Sequence, residues 1–497
     1  MSKNDRILLI EPPFYRLFKN TYSLDRYPLG LAYLAGAIKT ETNWHVMVYN
    51  SDFHPNNERK RVSYLASQGF DNYLENIKCL SGPVWNEIRK TILEYKPSII
   101  GITSVSPNFQ SACMVAKLAK AINNEIIVII GGPHPTIAGS DVLNCPDIDL
   151  AVKGEGEITI VELLKTIKAQ GNLNGIKGIV YRIDAKVVEN PAREFIKNLD
   201  SLSFPHENAR EQLKDYDKYP LSTFGHIFAI RGCPYNCFFC GSRALWSRNP
   251  RFRSPQNVVR EIKSLQEKGL RRIYFDDDTF ATNKEYLIDL CKALIKDCPG
   301  LKWACEIHVK LVDKKTISLM KAAGCYLIQI GIESGNNEIL KIMRKEITIQ
   351  EALLACEIIN KEGISLEAFF MIGFPQETED TLKESIAAMK RINGGVVYSI
   401  FTPYPYSEAF KFCKEYGLIG NDYDISLLNH QSPENCFCIN ITPTRFRLLA
   451  SKIEKMIDRK NSKVNINRIF SLNTIKAIQE QGVRDCFITG IKLIVGK

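Results

Sequence analysis

The chain has no apolar run approaching the length of a membrane span; its longest, near Ile126–Ile130, is no longer than a strand. It also lacks a cysteine framework. Fifteen cysteines are scattered over 497 residues, which excludes a disulfide scaffold and points to a reducing, cytoplasmic setting. No signal peptide is expected, because the opening Met-Ser-Lys-Asn-Asp-Arg leads straight into a strand-like run. No second cysteine pair follows the most compact cysteine group at a spacing that would complete a closed four-ligand zinc site.

That group is what the sequence does have. Cys233, Cys237 and Cys240 lie in Arg-Gly-Cys-Pro-Tyr-Asn-Cys-Phe-Phe-Cys, a C-x-x-x-C-x-x-C loop. Three thiolates within eight residues suit three irons of a cubane [4Fe–4S] cluster, which normally takes four ligands. The fourth iron is then open to another molecule, as in a reactive cluster. A zinc loop is the alternative, and it lacks a fourth ligand.

Length predicts two domains with an appendage, and 45% hydrophobic with 24% charged residues is the balance of a globular protein. The net charge of +10 is uneven: residues 441–497 hold twelve Lys or Arg against four Asp or Glu. A solvated helical face explains such a tail. Contact with a membrane surface or an acidic partner is the other reading.

In the first 170 residues short apolar runs alternate with helical patterns. Strands are expected at Ile7–Ile10, His45–Tyr49, Ser98–Ser104, Ile126–Ile130 and Leu150–Val152, and helices at Leu29–Lys39, Trp85–Tyr95, Ser111–Ile122 and Glu157–Ile167. Continuous apolar strands separated by helices predict a doubly wound α/β fold with a parallel sheet. Its ligand site would lie beyond the carboxyl ends of the strands. Thr103, Ser104, Gly131, Gly132, His134, Gly154, Glu155 and Gly156 cluster at those ends. Glycines there would let a flat ligand lie against backbone. Residues 178–189 alternate like a hairpin.

From Gly225 six strand–helix units follow, with strands at His226–Arg231, Arg272–Asp276, Lys302–Ile307, Tyr326–Ile332, Leu366–Ile372 and Val396–Phe401. Six units predict a partial (β/α)6 TIM-like barrel with its chemistry at the strand ends. Those ends carry Asp276-Asp277-Asp278, Glu306 with His308, and Glu333-Ser334-Gly335. The expected boundaries are 1–195 for the first domain, 196–221 for a linker, 222–412 for the second domain and 413–497 for a basic helical region.

The cysteine loop, with the aromatic Phe239 before its third cysteine, resembles the cluster signature of the radical S-adenosylmethionine (SAM) superfamily. The first domain resembles the cobalamin (B12)-binding, Rossmann-like domain found in front of many such proteins, through Tyr27-Pro-Leu-Gly-Leu-Ala-Tyr-Leu-Ala35 and Gly131-Gly-Pro-His134. The resemblance implies a [4Fe–4S] cluster on Cys233, Cys237 and Cys240. It implies SAM near Phe239, Asp277, Asp278, Glu333, Ser334 and Gly335. The planar fork of Arg344 suits the SAM carboxylate, and a solvent-facing arginine is the other reading. The resemblance also implies cobalamin against Thr103, Ser104, Gly131, Gly132, His134, Gly154, Glu155 and Gly156. The Asp-x-His-x-x-Gly motif that ligates cobalt in some cobalamin proteins is missing, so His54 and His134 are expected to stay off the metal. Where relatives read Thr-Pro-Tyr-Pro-Gly-Thr, this chain reads Thr402-Pro-Tyr-Pro-Tyr406-Ser407.

The activity implied is methyl transfer to an unactivated carbon or phosphorus, by way of a 5′-deoxyadenosyl radical and methylcobalamin. The partners implied are a small-molecule or lipid substrate and an electron donor such as flavodoxin or ferredoxin. A non-methylating cyclisation, ring contraction or carbon–carbon coupling would use the same architecture. A tRNA methylthiotransferase would need three cysteines at first-domain strand ends, and Cys79, Cys113 and Cys145 are not so placed. A non-catalytic cobalamin sensor would not need the cysteine loop. Cys436 and Cys438 form a C-x-C pair that could join Cys413 or Cys486 in a second cluster; solitary thiols are the simpler reading.

Overall fold

The computed structural model describes residues 5–469, apart from 25, 59–61, 66–67, 184–185, 281, 421–422 and 428–433. Cys486 and the basic residues beyond 469 lie outside the described residues.

The first sheet contains β1 (Arg6–Glu11), β2 (His45–Asn50), β3 (Ile99–Thr103), β4 (Ile127–Gly131), β5 (Leu150–Val152), β6 (Ile179–Ile183) and β7 (Lys186–Glu189). Their order is β2-β1-β3-β4-β5-β6-β7. The first five are parallel, as the apolar runs predicted. β6 and β7 join antiparallel, so the sheet is mixed and not purely parallel. For β7 the reason is local: too few residues separate it from β6 for a crossover, so the chain turns back as a hairpin.

Side chains on β1 alternate between two cores. Ile7 and Leu9 pack with α1 (Leu29–Glu41) on one face, while Leu8 and Ile10 meet α2 (Pro83–Tyr95) and α3 (Phe109–Ile122) on the other. The helix α4 (Gly156–Lys168) joins α1 on the first face. Both faces being covered explains why the strands read as unbroken apolar runs. Chain order reverses beside β1, which places a crevice at the ends of β1 and β3.

The second sheet is parallel throughout. It runs β15 (Gly395–Ile400), β14 (Ser365–Ile372), β13 (Cys325–Glu333), β12 (Lys302–Ile307), β11 (Arg272–Phe280) and β8 (His226–Ile227), with β15 and β8 at its edges. A short antiparallel pair, β9 (Ile230–Arg231) and β10 (Arg251–Phe252), brackets the cysteine loop. Along β14 the residues Leu366, Ala368, Phe370 and Ile372 are buried, whereas Glu367, Phe369 and Met371 are half-buried on the opposite face. The covering helices are α5 (Pro255–Glu267), α6 (Lys284–Asp297), α7 (Lys314–Ala322), α8 (Ile349–Lys361) and α9 (Glu379–Arg391).

The C-terminal helix α10 (Pro443–Ile469) covers the β15 edge. Asn461 pairs with both backbone groups of Val396, its Oδ1 accepting at 3.0 Å and its Nδ2 donating at 2.8 Å. An amide placed this way occupies bonds that another strand would otherwise take.

Residues 196–221 are packed against the first domain. Lys214 donates its backbone N–H to Val48 at 2.9 Å, and the Phe53 and Tyr219 rings stack at 3.7 Å. One apolar core runs from Ile7 in the first sheet to Ile400 in the second.

Candidate functional site

Arg231 ends β9, and Gly232 turns the chain into the cysteine loop at φ +103°. A side chain at Gly232 would press on the Ser247 carbonyl at 3.2 Å. Cys233, Cys237 and Cys240 are all half-buried, and burial pushes the thiols of Cys233 and Cys240 up to about 11 and about 12. Bare thiols in this setting stay protonated; a bound metal would have to take the place of the protons. Among the described residues, no three His, Cys, Asp or Glu side chains converge as a single-ion cage would require. The donor set suits a cubane, in which each thiolate takes a different iron.

Aromatic contacts hold the loop. Tyr235 stacks on His308 at 3.7 Å, and Phe238 donates its backbone N–H to Met343 at 2.9 Å. Phe238 and Phe239 pack on a cluster that includes Phe374, Phe401 and Phe437. His308 is buried and held neutral, its pKa lowered to about 3 by burial and by the nearby Lys345 charge.

The acidic residues within β11 have separate tasks. Asp276 pairs with His226 Nδ1 at 2.9 Å. Asp277 Oδ1 accepts from the backbone N–H groups of Ala229 and Ile230 at 2.9 and 2.8 Å, tying β11 to the chain that enters the loop. Its Oδ2 has no partner among the described residues, and burial pushes the carboxyl up to about 8. Asp278 is exposed, accepts from Ser242 Oγ at 2.7 Å and lines the cavity described below.

At the end of β13, Glu333 adopts φ +71° and pairs with Lys345 Nζ at 2.8 Å. Both are buried; desolvation opposes the Lys345 charge, but Glu333, Cys237 and Glu306 together outweigh it and raise the pKa. Glu306 faces the same pair, pushed up to about 7 by burial and by Glu333. Ser334 and Gly335 are turned toward α9: Gly335 N–H donates to Ser385 Oγ at 2.9 Å. A Cβ on Gly335 would lie 2.5 Å from Ser385 Cα.

Lys345 is the residue that the sequence reading missed. Arg344, its neighbour, is exposed, reaches Glu408 at 2.7 Å and covers the Phe238 ring. Left-handed backbone at Arg344, φ +53°, reverses which of the two adjacent cations points inward.

A cavity of about 470 Å³ lies between the two sheets. Thr103, Gly131, Gly132, Gly154, Glu155 and Gly156 line it from the first domain; Arg231, Gly232, Trp246, Asp276 and Asp278 line it from the second. Its inner part is apolar, with Leu9, Leu31, Ile129 and Ile160. A Cβ on Gly131 would meet nothing closer than Val152 at 3.9 Å, and one on Gly154 nothing within 4 Å, so both leave open wall. Gly132 differs: at φ +100° its Cβ would lie 2.8 Å from Thr103 Oγ1, so the turn itself requires glycine there. These residues fit a flat ligand with an apolar appendage.

Ser104 and His134 stand behind that wall. Ser104 Oγ donates to Asn108 Oδ1 at 3.2 Å. His134 Nδ1 meets Ser106 Oγ at 3.0 Å, and burial lowers its pKa to about 4. His54 Nδ1 accepts from the Asn56 backbone at 3.2 Å.

The two domains are joined at the cavity rim by buried ion pairs that the sequence did not reveal. Arg231 reaches Glu155 and Glu157 at 2.7 Å each, and Arg251 reaches Glu155 at 2.7 Å. Of the remaining cysteines, Cys79 is exposed, while Cys113 and Cys145 pack behind the first sheet. Cys436 donates to Ile441 O at 3.7 Å, and Cys413 and Cys438 are buried.

Comparison with known proteins places two family profiles on the chain: "B12 binding domain" on residues 15–164 and "Radical SAM superfamily" on residues 227–389. The chain is 32% identical over 412 residues to the uncharacterized methyltransferase PH0819 of Pyrococcus horikoshii, covering 82% of this chain and 83% of that one. It is 31% identical over 363 residues to the anaerobic magnesium-protoporphyrin IX monomethyl ester cyclase of Rubrivivax gelatinosus, covering 70% of this chain and 64% of the relative. Among solved structures, OxsB with aqua-cobalamin and S-adenosylmethionine aligns with TM-score 0.70 at 18% identity, over 98% of this chain and 72% of that one. TsrM of Kitasatospora setae, with cobalamin and a [4Fe–4S] cluster, aligns with TM-score 0.64 at 17% identity, over 90% and 81%. At these identities the two structures show a shared fold.

Proposed function

This chain belongs to the radical SAM enzymes that carry a B12-binding domain, and from that premise we propose that it is a cobalamin-dependent methyltransferase acting on an unactivated carbon or phosphorus. The observation that carries the reading is the shared cavity. Its walls join the glycine-rich strand ends of the first sheet to the residues that lead into the cysteine loop. In such an enzyme the cluster and SAM supply a 5′-deoxyadenosyl radical, and cobalamin carries the methyl group.

The residues of this chain divide the work. Cys233, Cys237 and Cys240 would hold the cluster, with Phe238 and Phe239 anchoring their loop on an apolar cluster. Lys345 with Glu333 offers a buried charged pair to the polar end of SAM, while Asp278 lies at the cavity edge for its other groups. Gly131 and Gly154 would leave room for a flat cobalamin ring against the backbone, and the apolar side chains Leu9, Leu31, Ile129 and Ile160 would exclude water from it. No described histidine lines the cavity.

We take the second sheet as a partial (β/α)6 barrel and the doubly wound sheet as the cobalamin domain, with boundaries at 1–195, 196–221, 222–412 and 413–497. A small-molecule or lipid substrate, a flavodoxin- or ferredoxin-type donor and a cytoplasmic setting go with the reading. Among the described residues no helix is long and apolar enough to cross a membrane.

One observation favours a non-methylating outcome in the same site: the cyclase from Rubrivivax gelatinosus is almost as similar to this chain as the methyltransferase relative is. Incubating anaerobically reconstituted enzyme with methyl-deuterated SAM and extract from a deletion strain separates the two. Label appearing in a new product supports methyl transfer. 5′-Deoxyadenosine with an unlabelled, cyclised product supports the alternative. Neither product, with both cofactors bound, sinks the proposal.

A further inference from the structure

We infer that Arg231 is a positioning residue that couples cobalamin binding to the geometry of the cluster site. The inference rests on the functional reading above and extends it to how the two cofactor sites are held in register.

The guanidinium spans two elements of different domains. Its Nη1 donates to Glu155 Oε1 and its Nη2 to Glu157 Oε1, each at 2.7 Å. Both carboxylates belong to the Gly154–Glu157 segment that lines the cavity. Arg251, paired with Arg231 across β9 and β10, adds a second bond to Glu155 at 2.7 Å, and the Ile196 backbone N–H adds another at 2.6 Å. Tyr33 on α1 backs the Arg231 guanidinium at 5.1 Å. The Arg231, Glu155 and Glu157 side chains are 9%, 3% and 7% exposed.

Two guanidinia and two carboxylates balance in charge, so the group is tolerated in the interior. A buried set of this kind gives little net stability, because desolvation cancels most of the attraction; what it fixes is register. The arginine fork is planar, and one nitrogen on each of two carboxylates sets both the distance and the angle between the segments. Lysine, with a single nitrogen, cannot hold both in that geometry.

Position in the chain gives the contact its consequence. Arg231 precedes Cys233 by two residues, and the intervening Gly232 is fixed at φ +103° against Ser247 and Pro250. A shift of the Gly154–Glu157 segment when the cavity fills is therefore passed to the first cluster ligand. By reciprocity, ordering of the cysteine loop by a cluster must alter the affinity of the cavity.

The test uses the full-length chain, cluster-loaded and cluster-stripped, titrated anaerobically with hydroxocobalamin. The wild-type affinities of the two forms should differ by about five-fold or more, the lower end of ordinary site-to-site coupling. Arg231→Lys should bring the ratio to within about two-fold while iron content and melting temperature stay near wild type. Should that variant fail to fold, Glu157→Leu, which removes the acceptor and severs one arm, is read in the same titration. A wild-type ratio of one overturns the clamp. So does a folded variant that binds more weakly in both forms but keeps the wild-type ratio, since that is a structural role alone. If the wild type binds neither iron nor cobalamin, the functional reading itself fails.

Discussion

At the residue scale, the thiols of Cys233, Cys237 and Cys240 lie near the buried Lys345–Glu333 pair. The C-x-x-x-C-x-x-C spacing is a local pattern that the chain itself displays, and the structure leaves its three cysteines half-buried in one loop. Lys345 was not legible, since a left-handed turn at Arg344 decides which of two neighbouring cations is buried, and sequence does not display that turn. Replacing Cys233, Cys237 and Cys240 together with alanine should abolish the thiolate–iron absorption of anaerobic protein; full iron content in that variant would place the cluster elsewhere.

A second residue-scale prediction concerns Glu377. Its Oε2 accepts from Gly373 and Phe374 N–H groups, its Oε1 has no partner among the described residues, and burial raises its pKa from 4.5 to about 8. The folded state thus keeps a proton that the unfolded chain releases above about pH 4.5, so this contribution is complete in acid and fades as pH rises to about 8. Glu377→Gln keeps the shape without the titration. Its melting temperature relative to wild type should climb between pH 5 and about 8, by an amount on the order of 1–3 kcal/mol in stability. A constant difference across that window would contradict the assignment.

At the element scale, the apolar runs marked nearly every strand, since burial of both sheet faces imposes them. Two departures stand out, the first with a local cause. The expected strand His226–Arg231 is split into β8 and β9 because Asp277 captures the N–H groups of Ala229 and Ile230. β11 continues to Phe280, through three aspartates that no strand pattern suggests.

Glycines at the cavity give a paired test. Gly131→Leu should project into open wall and lower cobalamin affinity at least about ten-fold with little change in melting. Gly132→Leu should cost fold stability first, because its left-handed φ and the Thr103 contact are intolerant of a side chain. Equal melting losses in the two variants would refute this division. Gly335→Ala, meeting the α9 backbone at 2.5 Å, should destabilise by about 1–3 kcal/mol in thermal or denaturant unfolding.

At the scale of the whole molecule, the sequence announced two α/β units but not how they meet. The Arg231 ion pairs, the packed 196–221 segment and the shared cavity depend on contacts between residues tens of positions apart, which neither periodicity nor spacing encodes. That meeting is the central claim, for the chemistry requires both cofactor sites to open on one chamber. The most direct measurement is electron paramagnetic resonance of the full-length protein carrying both cob(II)alamin and the reduced cluster. A shared chamber predicts that each signal is broadened or split by the other and sharpens when its partner is omitted. Two unperturbed spectra, each identical to that of protein holding one cofactor alone, would contradict it.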